Sequence, residues 1–141
     1  MGSRKKNASH DPETYYVLTL TPEQARVVSR ACELFTRLHI GQFNELTWEL
    51  LDLSRKDFCE RRDEAEPLLQ QLRRVYFPDL VLPGASCGVG KHLASDRAWD
   101  VYQVVRHAMA WHEHPEGGVS VDFHTPYSAA NERLATCEVV T

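Results

Sequence analysis

The sequence predicts an α+β fold, in which a small antiparallel sheet formed by N- and C-terminal strands packs against four to five helices. The main observation is residues 99–126, which have the pattern of a long amphipathic helix, a glycine-containing turn and a strand over 119–123. A second is residues 15–20, an uncharged run of aromatic and β-branched residues typical of a strand. Residues 134–140 are the candidate for a last short strand, and we expect the terminal strands to pair.

The bulk properties indicate one domain over residues 13–141, preceded by a flexible polar tail over residues 1–12. The net charge of −4 argues against an extended nucleic acid as partner, although a small nucleotide needs only a local arginine or two. The four cysteines form no CxxC pair, and no signal peptide or apolar run of about 18 residues is present. We therefore expect a cytoplasmic protein (in the host cytoplasm if it is phage-encoded) with no membrane partner.

The first helix has a clear start and a clear end. Thr21 can cap it, Pro22 suits the first helical position, and Gln24 can complete a capping box. Gly41 ends it. The residues expected to be buried are Ala25, Val28, Ala31, Cys32, Phe35 and Leu38.

Further helices are predicted by apolar residues at helical spacing. One segment carries Phe43, Leu46, Leu50 and Leu53, and residues 54–66 should form a short exposed helix. Pro67 should begin another helix, which carries Leu68, Leu69, Leu72, Val75 and Tyr76 and ends at Pro78. Residues 79–93 are predicted to be a loop.

The central helix should begin near Ser95 and Asp96 and has two faces to cover. One apolar stripe comprises Ala98, Val101, Tyr102, Val105, Ala108, Met109 and His112. The second face carries Asp100, Val104, His107, Trp111 and His114, with Arg106 on the flank beside Trp99 and Gln103. A tryptophan on the second face implies that another element or a partner covers it. A dimer through a sheet edge or through the Trp111 face is one such arrangement.

No motif in the sequence indicates catalysis or a metal site. The loop from Ala85 to His92 resembles a phosphate-binding loop in context, but Ala85 replaces the first glycine and His92 replaces the Ser/Thr that binds magnesium. We interpret it as an ordinary surface loop. The histidines at 92, 107, 112, 114 and 124 are not spaced to bind one ion, since His107 and His112 diverge by about 140° of helix rotation. No GxSxG elbow is present.

What remains is a candidate ligand-binding surface, in which arginine and amide donors lie beside aromatic rings. Arginine binds phosphate through two parallel hydrogen bonds, and a purine favours an aromatic face with polar edges. The candidate residues are Arg37, Gln42, Phe43, Asn44, Arg106, His107, Trp111 and Phe123. The alternative is that Arg37 and Arg106 only pair with carboxylates such as Glu33 and Asp100.

Two stretches, residues 18–46 and 99–123, resemble small proteins encoded by bacteriophages and prophages. The first ends in an Arg-x-x-x-Gly-Gln-Phe corner at Arg37, and the second contains Tyr-Gln-Val-x-Arg-His from Tyr102. More specifically, they resemble the phage anti-Thoeris sponge family, which sequesters cyclic ADP-ribose-type immune signals.

That resemblance implies a protein that is not an enzyme and needs no cofactor. It would bind a nucleotide signal, such as a cyclic ADP-ribose isomer or a cyclic oligonucleotide, in a deep site shared between the subunits of a homo-oligomer. Arg37 and Arg106 would contact phosphate or ribose, and Phe43, Trp111 or Phe123 would stack. The alternatives are a protein–protein interaction module that blocks a host protein through the Trp111 face and, third, a metal-dependent hydrolase.

Overall fold

The computed structural model describes residues 14–141, and the predicted polar tail lies outside the described residues. The described part is helical: α1 spans Pro22–His39, α2 Glu45–Leu50, α3 Phe58–Tyr76 and α4 Leu93–Glu113, followed by a 3₁₀ turn at Val121–Phe123. It contains no strand, so the predicted α+β fold with a small antiparallel sheet is wrong. Within the same residues, no helix is long and apolar enough to cross a membrane.

The three predicted strands are not formed, because no backbone ladder joins any of them to another segment within residues 14–141. Residues 15–20 have no regular secondary structure and are mostly exposed, with Tyr16 and Val17 at 96% and 94% exposure, and no backbone ladder pairs them with another described segment. Residues 134–140 likewise have no regular secondary structure and no backbone ladder to another described segment. Residues 119–123 turn instead, because Phe123 N–H donates to the Ser120 carbonyl and His124 N–H to that of Val121. β-propensity only indicates that a segment fits a half-buried sheet when neighbours exist.

The predicted boundaries of α1 are confirmed by its caps. Thr21 and Gln24 form a reciprocal capping box with hydrogen bonds of 2.9 and 3.2 Å, and Pro22 occupies the first turn. At the other end, Gly41 adopts φ +88°, and a Cβ there would lie 2.6 Å from Leu80 Cδ1. Glycine at position 41 is therefore required by both the backbone and the packing.

Helix α1 packs on α4 through small polar residues. Ser29 and Thr36 are buried, and the Thr36 hydroxyl donates to the Ser95 carbonyl over 2.9 Å. Ala31 and Phe35 were expected in the core but lie on the exposed side. The helix is thus rotated so that short side chains, which permit close approach of the backbones, face α4.

Helix α3 is one continuous helix where the sequence predicted two. Pro67 lies inside it, although it was expected to start a new helix, and both Pro67 and Asp63 four residues earlier are exposed. Proline removes one backbone donor and crowds the carbonyl four residues before it. Because that carbonyl belongs to an exposed turn, we infer that water satisfies it and the helix continues.

Helix α3 is attached to the rest of the chain chiefly by Arg73, which is only 2% exposed. Its guanidinium donates to four backbone carbonyls, those of Gly41 (2.9 Å), Leu80 (3.2 Å), Leu82 (2.8 Å) and Ala85 (2.7 Å). Aromatic contacts add to these hydrogen bonds. The ring centres of Phe43 and Phe77 are 5.8 Å apart, and those of Trp48 and Phe58 are 5.9 Å apart.

A polar stripe on α4 holds the chain that surrounds that helix. Asp96 accepts from Gly90 N–H (2.7 Å), and Asp100 accepts from the amides of Ala129 and Ala130 (2.7 and 3.2 Å). Gln103 both donates to and accepts from the backbone of Tyr127, and His107 bonds the Asp122 carbonyl (2.9 Å). The sequence left open whether another element of the chain or a partner covers the second face of α4. The structure shows that a segment of the same chain covers it.

Replacing Arg73 should destabilise the protein strongly. In Arg73→Lys the charge is kept, but one ammonium cannot reach four carbonyls, and each buried polar group left without a partner costs about 1–3 kcal/mol. We expect a loss of about 3 kcal/mol in the free energy of unfolding, measured by urea denaturation. The matched control is the exposed neighbour in Arg74→Lys, which should change stability by less than about 0.5 kcal/mol. Equal midpoints for the two variants would contradict this role.

Removing Asp100 should release the C-terminal segment locally. In Asp100→Ala the amides of Ala129 and Ala130 lose their acceptor, so we expect faster hydrogen exchange at those two positions and a loss of about 2 kcal/mol in stability. The exposed carboxylate in Asp79→Ala provides a control that should leave both amides protected. Unchanged exchange in Asp100→Ala would show that another contact holds the segment.

Candidate functional site

The corner after α1 contains three of the eight candidate ligand-binding residues. Phe43 is 8% exposed and packs against Tyr76 and Phe77, so its ring is part of the core and is closed to a ligand. Gln42 accepts from Arg37 over 2.7 Å, and Asn44 is exposed beside it. The corner therefore presents amide groups, but its aromatic ring is already used.

Arg37 is anchored on its own helix. Its Nη2 lies 3.2 Å from Glu33 Oε1, and its guanidinium lies 5.5 Å from the centre of the Trp99 ring. Pairing with Glu33 is the structural alternative that the sequence left open. The Arg37 Nε is buried without a hydrogen-bond partner in the described part of the chain, so the guanidinium retains one unused donor.

Arg106 is mostly buried and is oriented by Tyr102 and Asp122. Its Nη1 donates to the Tyr102 hydroxyl over 2.7 Å, its guanidinium lies 4.4 Å from the centre of that ring, and its Nε is 3.8 Å from Asp122 Oδ1. The carboxylate named for it by sequence, Asp100, instead binds the backbone at 129–130. The sequence therefore named the wrong carboxylate for Arg106, which lies near Asp122.

Two aromatic residues on α4 link the two arginines. Trp99 lies 4.9 Å from Tyr102 between ring centres, so Arg37, Trp99, Tyr102 and Arg106 follow one another along one side of the helix pair. Burial raises the pKa of Tyr102, and Glu33 raises it further against the opposing effect of Arg106 and Arg37. The phenol thus stays neutral at physiological pH and can donate a hydrogen bond.

His107, Trp111 and Phe123 form a packing cluster instead of an open stacking platform. His107 bonds the Asp122 carbonyl, and the Trp111 and Phe123 rings meet edge to face at 5.3 Å. A Cβ on Gly117 would lie 3.1 Å from the Trp111 ring. Trp111 remains 42% exposed, but the structure uses it to fix the turn after α4.

A cleft of about 290 Å³ between α1 and α4 contains three arginines, of which the sequence interpretation named one. Arg26 and Arg30 come from α1 and Arg106 from α4, over a floor that includes Ser29, Met109 and Ala110. Arg26 and Arg30 are four residues apart and lie on one face of α1, outside the set of residues that the sequence predicts to be buried in this helix. No residue near Arg26 and Arg30 in the sequence indicates that α4 faces these two arginines.

Each arginine of this cleft already has a carboxylate partner. Arg26 pairs with Glu113, Arg30 lies 2.6 Å from Glu49, and Arg106 is near Asp122. A second cleft, of about 260 Å³, adjoins Gln42, Asn44, Glu45, Glu66 and Gln70, and its acidic and amide lining suits an anion less well.

The loop that resembles a phosphate-binding loop has its amides occupied by the chain itself. Gly88 and Gly90 both have positive φ, but Gly90 N–H donates to the Asp96 carboxylate and Gly88 N–H to the Ser86 hydroxyl. Among residues 14–141, no group of three or more His, Cys, Asp or Glu side chains is placed to hold a metal ion.

Comparisons with known proteins found no matching family model, no matching curated protein and no matching solved structure. The resemblance to the anti-Thoeris sponge family therefore stays a prediction from the sequence.

Proposed function

We propose that this protein binds a small nucleotide-type anion in the cleft between α1 and α4 and sequesters it without hydrolysis, as a phage-type counter-defence protein. The observation that carries the proposal is the convergence of Arg26, Arg30 and Arg106 from two helices on one cleft. Guanidinium groups match phosphate geometry and stay charged at every physiological pH.

The carboxylates of the cleft are compatible with such a ligand. A phosphate entering between the helices replaces Glu113 or Asp122 as the partner of an arginine, so ligand binding exchanges one ion pair for another. The released carboxylates are acceptors of the kind that binds ribose hydroxyls in nucleotide sites. Phosphate and sugar would thus both find partners in the same cleft.

The aromatic rings that would stack on the ligand differ from those expected from the sequence. Phe43, Trp111 and Phe123 are committed to packing, whereas Tyr102 and Trp99 lie between Arg106 and Arg37 along the helix pair. In this proposal the three cleft arginines hold the phosphate, Tyr102 lies beside Arg106, and Arg37 lies at the far end.

The volume of the cleft indicates how much ligand one copy can hold. At about 290 Å³ it lies just below the range for ligand pockets, roughly 300–1,000 Å³. A mononucleotide-sized portion fills it. A cyclic ADP-ribose isomer or a cyclic oligonucleotide would extend beyond it, which favours a site completed by a second copy.

Ligand binding should raise the melting temperature by mass action. For a compound at a hundred times its Kd, stabilisation is about 2.7 kcal/mol. We expect one member of a panel of cyclic nucleotides and ADP-ribose isomers to raise the melting temperature of the wild type, and the shift to disappear in Arg106→Ala and shrink in Arg30→Ala. Thermal denaturation followed by chromatography should return the ligand intact.

The matched control is Arg61→Ala, which removes an exposed arginine of α3 that is ion-paired with Asp57, far along the chain from the cleft. It should keep the full ligand shift. A shift that survives in Arg106→Ala, or none from any compound in the panel, would contradict the proposed site. A chemically altered ligand would indicate a hydrolase.

A second function, protein–protein interaction, is favoured by the outer face of α3. Leu68, Leu72 and Val75 recur at helical spacing there and are 60%, 43% and 73% exposed. This face, more than the Trp111 face expected from sequence, has the character of a docking surface. A pure interaction module would show no thermal shift with any nucleotide.

A further inference from the structure

Helix α4 begins with an unusual cap. The N-cap position is His92, and its Nδ1 accepts a hydrogen bond from Ser95 N–H over 3.2 Å. N-caps are usually Ser, Thr, Asp or Asn, whose side-chain oxygens accept at any pH above about 4. An imidazole nitrogen accepts only while it carries no proton.

A second histidine lies against this cap. His39, at the end of α1, stacks on His92 with ring centres 4.6 Å apart and planes inclined by 30°. The His39 Nδ1 lies 2.8 Å from the Phe35 carbonyl, so this nitrogen carries the proton and donates. The two stacked rings therefore use the same atom in opposite roles.

The two stacked rings lie at helix ends of opposite polarity. His39 lies at the negative end of the α1 dipole, whereas His92 lies at the positive end of α4. Lys91 adjoins His92 in the chain, and the nearest carboxylate in sequence, Asp96, is engaged by Gly90 N–H. In the described part of the chain no carboxylate bonds to either ring.

We propose that His39 and His92 form a proton-sensitive latch between the end of α1 and the start of α4. With His92 neutral, the latch is closed. A proton on His92 removes the cap, which releases the first turn of α4 and the loop over residues 86–92. Once His39 is protonated as well, two cations are in stacking contact.

The released loop has few other anchors. Cys87 N–H donates to the Ile40 carbonyl, and Gly90 N–H donates to Asp96. Gly88 and Gly90 are in the left-handed region, and a Cβ at either position would meet nothing within 4 Å. The loop therefore has room to move once the cap is lost.

The test compares wild type with His92→Asn, since asparagine caps a helix but does not ionise. A free histidine titrates near pH 6.5, so the two conditions are pH 7.5 and pH 5.5. We expect the melting temperature of the wild type to fall by about 3 °C more than that of His92→Asn, which corresponds to the loss of one cap in a protein of this size. His124→Asn, at an exposed histidine, should respond to pH as the wild type does.

Hydrogen exchange at the Ser95 amide provides the local readout, expressed as protection relative to the unfolded rate at each pH. Protection should fall at pH 5.5 in the wild type and persist in His92→Asn. Equal losses of protection and of melting temperature in the two proteins would overturn the latch. If His92→Asn does not fold, His39→Gln serves instead, because removing the facing cation should also reduce the response to pH.

Discussion

The arrangement of this molecule depends on a buried guanidinium whose recorded hydrogen bonds all go to backbone carbonyls. Arg73 donates to Gly41, Leu80, Leu82 and Ala85, so one side chain joins α3, the corner after α1 and the loop before α4. A buried charge is tolerated when its donors are satisfied, and here carbonyl dipoles provide that satisfaction. Because the apolar core is small, comprising Ile40, Phe43, Phe58, Val104 and Val105, this hydrogen-bonded node determines where α3 lies.

Hydrogen bonds from side chains to the backbone also hold the chain around α4. Its inner stripe of Asp96, Asp100, Gln103 and His107 provides the backbone partners that a sheet would otherwise provide. Gln103 bonds both the N–H and the carbonyl of Tyr127, which reproduces one residue pair of a β-ladder with a side chain. Residues 120–130 can therefore lie along the helix in irregular conformation with their polar groups satisfied. The fold uses side-chain hydrogen bonds where the sequence pattern favoured strands.

Local chemistry was predictable from the sequence, and non-local pairing was not. The capping box at Thr21 and the glycine stop at Gly41 depend on residues within a few positions, and the structure confirms both. The strands over 15–20 and 119–123 required a neighbouring strand, and residues 14–141 form none. Arg73 has the sequence context of an ordinary solvated charge in a charged helix, and its burial depends on carbonyls up to 32 residues away. Likewise, Arg26 and Arg30 became candidates only when α4 was seen to face them.

The corner over residues 39–43 is where these separate features meet. His39 stacks on the cap of α4, the Ile40 carbonyl holds Cys87, the Gly41 carbonyl accepts from Arg73, and Gln42 accepts from Arg37. These four consecutive residues thus contact the cap of α4, the loop before α4, α3 and α1. Because Gly41 has no room for a side chain and its φ is positive, the corner has little freedom to adjust by itself. A change at the start of α4 must therefore either break one of these bonds or move the end of α1, and with it Arg37.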